Sequence, residues 1–453
     1  MSQALASIPD CRGAKALKGL LRAESQRLIP SHIHKVAVAE PARQSPRHVE
    51  SWSTALSALP EHIEPLPTTQ VLRQDEGIFA SIKARFLAWR DAQLLQRRFQ
   101  QWALSFPLTR PIARRQAVRL FDLCAGFIYS QVLLAAVRLD LFEMLSQGPL
   151  SLQEIAKRLR MNPDAVGRLL QAAVALALLE QRSKHAGLDT RYGLGMLGAS
   201  VLSSPGLKAM IQHHALFYQD LADPVALLQS RGSERAMAGY WAYATSEKPS
   251  ELHDVAVGDY SALMAASQPM VAEEILASYN FSKHQHMLDL GGGEGVFIAQ
   301  VAARYPRMRF TLMDLPAVTR RAALRFEQLG LTQRTRCVPG SFLSDPIPTA
   351  ADLVSLIRVV HDHDDAFVMQ LLRKLHQSMT PGAKLLLAEP MAQTRGAMPV
   401  ADAYFAMYLW AMGSGRSRRP DELLAMLREA GFARARVLRQ VMPLQVRVLL
   451  AER

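Results

Sequence analysis

His286-Met287-Leu288-Asp289-Leu290-Gly291-Gly292-Gly293-Glu294-Gly295-Val296 is the stretch that decides the fold. Its first five residues read as a short apolar strand, the glycines follow at once, and residues 296–305 read as a helix. Strand, loop and helix in that order is the opening of a nucleotide-binding α/β sheet. Gly291, Gly293 and Gly295 let the backbone turn sharply and approach a ligand that a Cβ atom would exclude. A dinucleotide loop needs Gly or Ala where Val296 stands, which argues against NAD.

The surroundings of the loop suggest another ligand. An acidic residue, Asp289, lies two positions before the first glycine, and the next strand, residues 308–313, ends in Asp314. A carboxylate there can accept hydrogen bonds from both hydroxyls of a ribose, and Leu315-Pro316 then turns the chain beneath an adenine. These features fit S-adenosylmethionine (SAM), which has no pyrophosphate to seat. SAM is therefore the expected cofactor.

Further strands are expected at residues 336–338, 351–360, 383–388 and 445–450, with helices between them, which makes the sheet doubly wound. Ligands of such sheets lie beyond the carboxyl ends of the strands. Gly340-Ser341-Phe342, Arg358, His361-Asp362 and Glu389-Pro390 fall there. The expected cofactor-binding set is Asp289, Gly291, Gly293, Gly295, Asp314, Leu315, Ser341, Phe342 and Arg358. Methyl transfer from a sulfonium is an in-line displacement, so the enzyme must position an acceptor and remove its proton. His361 is the natural base, and Glu389 can fix its tautomer and stabilise the imidazolium. The run His361-Asp-His-Asp-Asp365 also invites a metal reading, but Ala366 stands where a binuclear zinc site would place its last His, and no metal is expected. Asp364 and Asp365 more simply open a helix over residues 366–378, favourably placed against its dipole.

Toward the N-terminus the patterns are helical. Ile78, Ile82, Phe86 and Trp89 form an apolar stripe, Ser151-Leu-Gln-Glu154 is a capping box, Asn162-Pro163 opens another helix, and residues 164–180 read as one long apolar helix. Residues 187–192 read as a two-stranded wing. A winged helix suggests DNA binding, but this second helix carries Arg168 and then almost only apolar side chains, a poor reader of phosphates or base edges. Burial against another subunit suits it better, and no nucleic-acid partner is expected. Residues 1–75 mix Pro, Ser, His and basic residues without periodicity and read as a mobile extension. The expected division is thus a 1–75 extension, a 76–258 helical and winged-helix dimerisation domain, and a 259–453 Rossmann-like SAM methyltransferase domain.

The 453 residues, 49% hydrophobic, suffice for ~150 residues in each of two to three domains. Cys11, Cys124 and Cys337 are far apart, so neither a disulfide framework nor a Cys-x-x-Cys metal site is expected, and a reducing cytoplasm fits best. The net charge of +13 leaves nucleic acid, an anionic membrane or an acidic substrate open as partners. Residues 97–119 interleave arginines with Phe99, Trp102 and Phe106, which reads equally as a peripheral membrane contact, at the inner membrane, and as a solvated helical face.

Leu288 to Gly295, Met313-Asp-Leu-Pro316, His361-Asp362, Leu387-Ala-Glu-Pro390 and Ala430-Gly-Phe432 together resemble the small-molecule O-methyltransferases related to the caffeate and acetylserotonin enzymes. The resemblance implies an intertwined homodimer formed by the N-terminal domain, with His361 as base. This chain departs from the family pattern in two places. It has Gly340-Ser341-Phe342-Leu343 where the family has Gly-Asp-Met/Phe-Phe, and the acid of the family's last loop is replaced within Gly413-Ser-Gly-Arg-Ser-Arg-Arg419. A narrower resemblance, carried by residues 106–115, 121–134, 358–365 and 404–419, is to the bacterial carotenoid O-methyltransferases, the hydroxyneurosporene or demethylspheroidene group. It implies methylation of the tertiary C1 hydroxyl of an acyclic hydroxycarotenoid in a spheroidene- or spirilloxanthin-type pathway of a photosynthetic bacterium. Residues 404–412 then offer aromatic and Met side chains for a polyene tunnel, or ordinary core packing. Competing readings are a C-methyltransferase of bacteriochlorophyll synthesis and a winged-helix regulator that senses SAM.

Overall fold

The computed structural model of the chain describes residues 78–182, 190–229, 235–240, 254–441 and 443–453. The expected extension and part of the wing lie outside them. The described residues fall into two units that divide after Gln100. In the first, Ile78–Leu94 is helical as its periodicity predicts, but Phe86 and Trp89 of the expected stripe are exposed.

The second unit begins with helical layers. Helix Arg110–Arg138 runs into a small core built from Leu134, Val137, Leu141, Phe142, Ile155, Val166 and Leu170. The capping box forms as read: Ser151 Oγ accepts from the Glu154 N–H and Glu154 returns the bond to the Ser151 N–H. Asn162 caps the next helix, Pro163–Ala175. That helix stops short of the expected residue 180. Ala177 takes a left-handed φ of 54°, and residues beyond it form strand β2 (Leu179–Gln181), antiparallel to β3 (Arg191–Leu194), which also pairs with β1 (Leu150–Ser151). The Leu-Ala-Leu-Leu run suits strand and helix alike, so its periodicity could not mark the break. The helix's apolar side, Val166, Leu170 and Ala173, is buried within its own domain. Most of the large apolar side chains exposed in this region sit instead on Arg110–Arg138.

The rest of the unit is a seven-stranded sheet in the order β6-β5-β4-β7-β8-β10-β9. Strands β4 (His286–Leu290), β5 (Arg309–Asp314), β6 (Thr335–Pro339), β7 (Leu353–Ile357) and β8 (Lys384–Glu389) are parallel. Strands β9 (Ala433–Val437) and β10 (Arg447–Glu452) close one edge antiparallel. Residues 433–437, Ala-Arg-Ala-Arg-Val, carry too little apolar character to read as a strand. β10 recruits them at the sheet edge. β7 is buried at every residue, as a parallel strand covered on both faces must be. Helices 365–378 and 420–429 cover one face and 254–278 and 296–304 the other, giving two cores. The chain reverses direction of winding at β4 and β7, and the crevice that opens there is where such sheets bind ligands.

Candidate active site

Beyond the carboxyl ends of β4, β5, β6 and β7 lies one cavity, walled by Gly291, Gly293, Asp314, Leu315, Phe342 and Arg358 and by Ser261, Met264 and Gln268 of helix Asp254–Ser278. Asp289 ends deep in it. Ser355 Oγ donates to its Oδ1 at 2.6 Å, while its buried Oδ2 has no hydrogen-bond partner among the described residues. Burial pushes this carboxyl up to about 7, against the pull of the Ser355 hydroxyl. Asp314 accepts from the Gly293 N–H at 2.8 Å and the Leu315 N–H at 2.7 Å, and burial raises it to about 6.

A buried and a half-buried carboxylate repel a pyrophosphate and suit a ligand bearing an ammonium and ribose hydroxyls. At another side of the cavity His363 stacks on Phe367 with ring centroids 3.8 Å apart, and Phe342 meets both edge-on. Burial holds His363 down at about 4, so this cluster is uncharged near neutrality and suits a flat heteroaromatic ring. The residues present therefore fit SAM.

Three expected cofactor residues act differently from their reading. Gly295 does not line the cavity: at φ +76° a Cβ on it would stand 2.4 Å from the Phe326 ring, so its smallness lets helix Val296–Arg304 start close against that side chain. Ser341 lines the cavity, but its hydroxyl accepts from the Leu343 N–H and its own N–H goes to Asp345, so its polar groups shape the loop. Arg358 lines the cavity and reaches away from β7 to donate to Ser267 Oγ, Gln268 Oε1 and the Met264 carbonyl. It ties the helix to the sheet across the cavity.

The His361 group forms beside this cavity. Glu389, at the end of β8, accepts from the Val359 and Val360 N–H groups through Oε1 and holds His361 Nδ1 at 2.5 Å through Oε2. On the other side of the ring, Nε2 lies 3.0 Å from Asp362 Oδ1. Burial depresses His361, but Asp362 and Glu389 outweigh it and hold the ring above the usual histidine range. Phe405, at the end of a π-helical turn over Pro399–Phe405, meets the ring edge-on.

The last loop, which lacks the family's acid, supports this group through its backbone. Gly415 packs so close that a Cβ would fall 2.1 Å from the His361 carbonyl, and the Arg416 N–H donates to that carbonyl. Buried Arg418 donates to the Val360 and His363 carbonyls, bracing the turn on both sides of His361 and Asp362, and also to Asp365. With His363 stacked and Asp365 held by Arg416 and Arg418, the 361–365 run is dispersed among separate tasks. Among the described residues no group of three or more ligating side chains is arranged to hold a metal ion. Asp364 and Asp365 do open the helix Asp365–Ser378.

Sequence reasoning missed Ser261, Met264, Gln268, His363 and Phe367 as wall residues. The helix at 254–278 has no motif and reaches the cavity only through the fold. His363 and Phe367 stand at i and i+4, a spacing that could have been read as a stacked pair.

Comparison with known proteins agrees with this architecture. The O-methyltransferase domain matches residues 218–433, and the O-methyltransferase dimerisation domain matches residues 121–204. The chain is 39% identical to demethylspheroidene O-methyltransferase of Rhodobacter capsulatus, over 79% of this chain and 88% of that protein. It is 38% identical to the protein of the same name from Cereibacter sphaeroides, over 75% and 88%. Among solved structures, human N-acetylserotonin methyltransferase in complex with SAM shares the fold with a TM-score of 0.64, at 24% identity, covering 75% of this chain and 98% of that one.

Proposed function

Since the chain belongs to the SAM-dependent O-methyltransferases with an N-terminal dimerisation domain, we propose that it methylates the tertiary C1 hydroxyl of an acyclic hydroxycarotenoid, as a homodimer working at a membrane surface. The observation that carries the acceptor is the 39% identity extending over 88% of a demethylspheroidene O-methyltransferase. When bound, SAM supplies a methyl group activated on a sulfonium.

The chain's own residues do the rest. Asp289 and Asp314 would hold the ammonium and ribose ends of the donor, and the Phe342, His363 and Phe367 rings its adenine. Arg358 keeps helix Asp254–Ser278 over the cavity. The acceptor's hydroxyl loses its proton to the buried centre built on His361 and fixed by Glu389. Phe405, Tyr404 and Tyr408 form a connected aromatic cluster that begins at His361, and Tyr404 and Tyr408 turn their hydroxyls to His214 and His213. Their polar ends are thereby satisfied, and the two tyrosine rings stack on each other within a small apolar core with Phe217 and Leu409.

Dimerisation is supported by the domain matched at residues 121–204 and by the exposed apolar side chains Phe121, Leu123, Phe127 and Ile128. Membrane contact is supported by the segment before it. Helix Arg110–Arg138 is long and apolar enough to cross a membrane by composition. Its first turns and the residues before them expose Trp102, Phe106, Leu108, Ile112 and Val118 among Arg110, Arg114, Arg115 and Arg119, with no acidic residue between 97 and 121. That mixture suits the surface of an anionic bilayer better than its interior.

The test is incubation of the protein with methyl-labelled SAM and, separately, a hydroxycarotenoid fraction and a bacteriochlorophyll-precursor fraction. Label is expected in the first. Label confined to the second would replace this reading with a C-methyltransferase.

A further inference from the structure

Between Leu290 and Val296 the loop is glycine at every position except Glu294. Gly291, Gly293 and Gly295 take left-handed φ values of 69°, 57° and 76°. Such a run has wide conformational freedom and few means of holding one arrangement, so ordering it around a ligand costs binding energy. Glu294 is the one residue through which a side chain can hold it. Its carboxylate belongs to the cavity wall, is 12% exposed, and is met by two guanidiniums that do not line that wall. Arg325 Nη2 donates to Oε2 at 3.0 Å, and Arg321 Nη1 donates to Oε1 at 3.5 Å.

The two arginines stand one turn apart on helix Pro316–Gln328, where residues i and i+4 share a face. This helix and the residues that lead into it meet the loop at three successive positions. Asp314 accepts from the Gly293 N–H at 2.8 Å, Arg321 and Arg325 hold Glu294, and the Phe326 ring fills the space beside Gly295 that a Cβ would need. One helix thus touches the loop, and the chain entering it carries the carboxylate suited to the ribose.

We propose that Glu294 is a positioning residue for the donor: gripped by Arg321 and Arg325, it fixes the glycine loop in its SAM-binding shape, in register with Asp314, before SAM arrives. The inference rests on the reading of this cavity as the donor site and is independent of the acceptor. The ion pairs are made without SAM and do not change as the methyl group moves. Their removal therefore acts on binding and leaves the rate of the bound complex alone.

Direct attraction between the Glu294 carboxylate and the positively charged donor is the other way in which this residue could act, and the two differ in sign at the arginines. Under direct attraction, removing Arg321 and Arg325 frees the carboxylate's charge and tightens SAM binding. Under positioning, removing them loosens the loop and weakens binding.

The test is calorimetric titration of the whole chain with SAM and with S-adenosylhomocysteine, in Glu294→Gln, in Arg321→Gln with Arg325→Gln, and in all three changes combined. Glu294→Gln and the arginine variant are each expected to weaken SAM binding about 5- to 20-fold. S-adenosylhomocysteine, which lacks the sulfonium charge, is expected to lose the same factor. The rate of methyl transfer at saturating SAM is expected to stay within about twofold. The combined variant is expected to lose no more than the larger of the two separate losses, because the interaction is already gone. Unchanged affinity in Glu294→Gln, tighter SAM binding in the arginine variant, or losses that multiply in the combined variant overturns the proposal. Hydrogen exchange in the unaltered protein adds a test that needs no variant to fold. The Gly291, Gly293 and Gly295 amides, all hydrogen-bonded within the chain, are expected to be protected without SAM. Fast exchange there that slows only when SAM is added overturns the proposal. An unaltered protein that binds no SAM would instead count against the donor-site reading, and the exchange result would still show whether the loop is held in advance.

Discussion

The carboxyl end of the parallel sheet and the helix Arg110–Arg138 solve opposite problems. At the sheet end the charged groups are buried or half-buried and held: Glu389 by two N–H groups and an imidazole, Arg418 by two carbonyls and Asp365, Asp314 by two N–H groups. On the helix, Leu123 and Phe127 are 81% and 69% exposed in a single chain. Burying a charge is costly unless it is paired, so the first region must be completed within the chain itself. An exposed apolar helix costs little to fold but invites association, so the second is completed by something outside it. The residues that line the cavity are held within one chain, whereas the exposed helix overlaps the segment that matches the dimerisation domain.

That contrast can be broken from the sheet side with the largest effect. Glu389→Ala removes the partner of a buried ring and of two buried N–H groups. A loss of about 3–5 kcal/mol in stability and about 10³-fold or more in methyl transfer is expected, read by urea unfolding and single-turnover assay. An unchanged unfolding midpoint would mean that the centre is not held as described.

Asp289 gives a smaller and pH-dependent effect. Its carboxyl sits at about 7 in the folded chain against ~4 in the unfolded one, so the folded state binds the proton more tightly. The stability this proton supplies is present at low pH and declines as pH rises from ~4 to about 7. Asp289→Asn is expected to flatten that dependence, to gain ~1–3 kcal/mol above pH 7 without SAM, and to weaken SAM binding. Thermal melts across pH with and without SAM check it, and a parallel pH dependence in the variant would remove Asp289 as its source.

From the helix side, Phe121→Glu with Leu123→Glu is expected to change folding stability by less than ~1 kcal/mol while converting dimer to monomer in light scattering. Loss of several kcal/mol instead would show that these side chains serve the single chain. The smallest effect belongs to Arg114→Glu with Arg115→Glu: secondary structure and activity in detergent unchanged, and binding to vesicles of anionic lipid reduced and less salt-dependent, with ~1 kcal/mol lost for each charge removed. Equal vesicle binding before and after would leave the segment as a solvated face.

The same contrast explains what could be read from the sequence. The sheet, the glycine loop, Asp289, Asp314, His361 and Glu389 were legible because each is a local signal: an apolar strand with a particular residue at its end. Gly295 was legible as a glycine but misread in purpose, because the Phe326 ring it accommodates comes from a distant helix. The end of the second helix at Ala175 was hidden by a Leu-Ala run that suits helix and strand alike. Asp362 was visible as the neighbour of His361, yet adjacency in sequence does not tell which of two residues reaches the cavity. The dimer face was expected on residues 164–180, where apolar density is high, but tertiary packing uses that face and exposes the helix before it.

The most direct test of the central claim uses SAM carrying a deuterated methyl group and one purified carotenoid with a tertiary C1 hydroxyl, with products read by mass spectrometry. The intact labelled methyl is expected on the hydroxyl oxygen as a methyl ether, and the same carotenoid without its hydroxyl is expected to gain nothing. Label found on carbon, or the same gain without the hydroxyl, would contradict it.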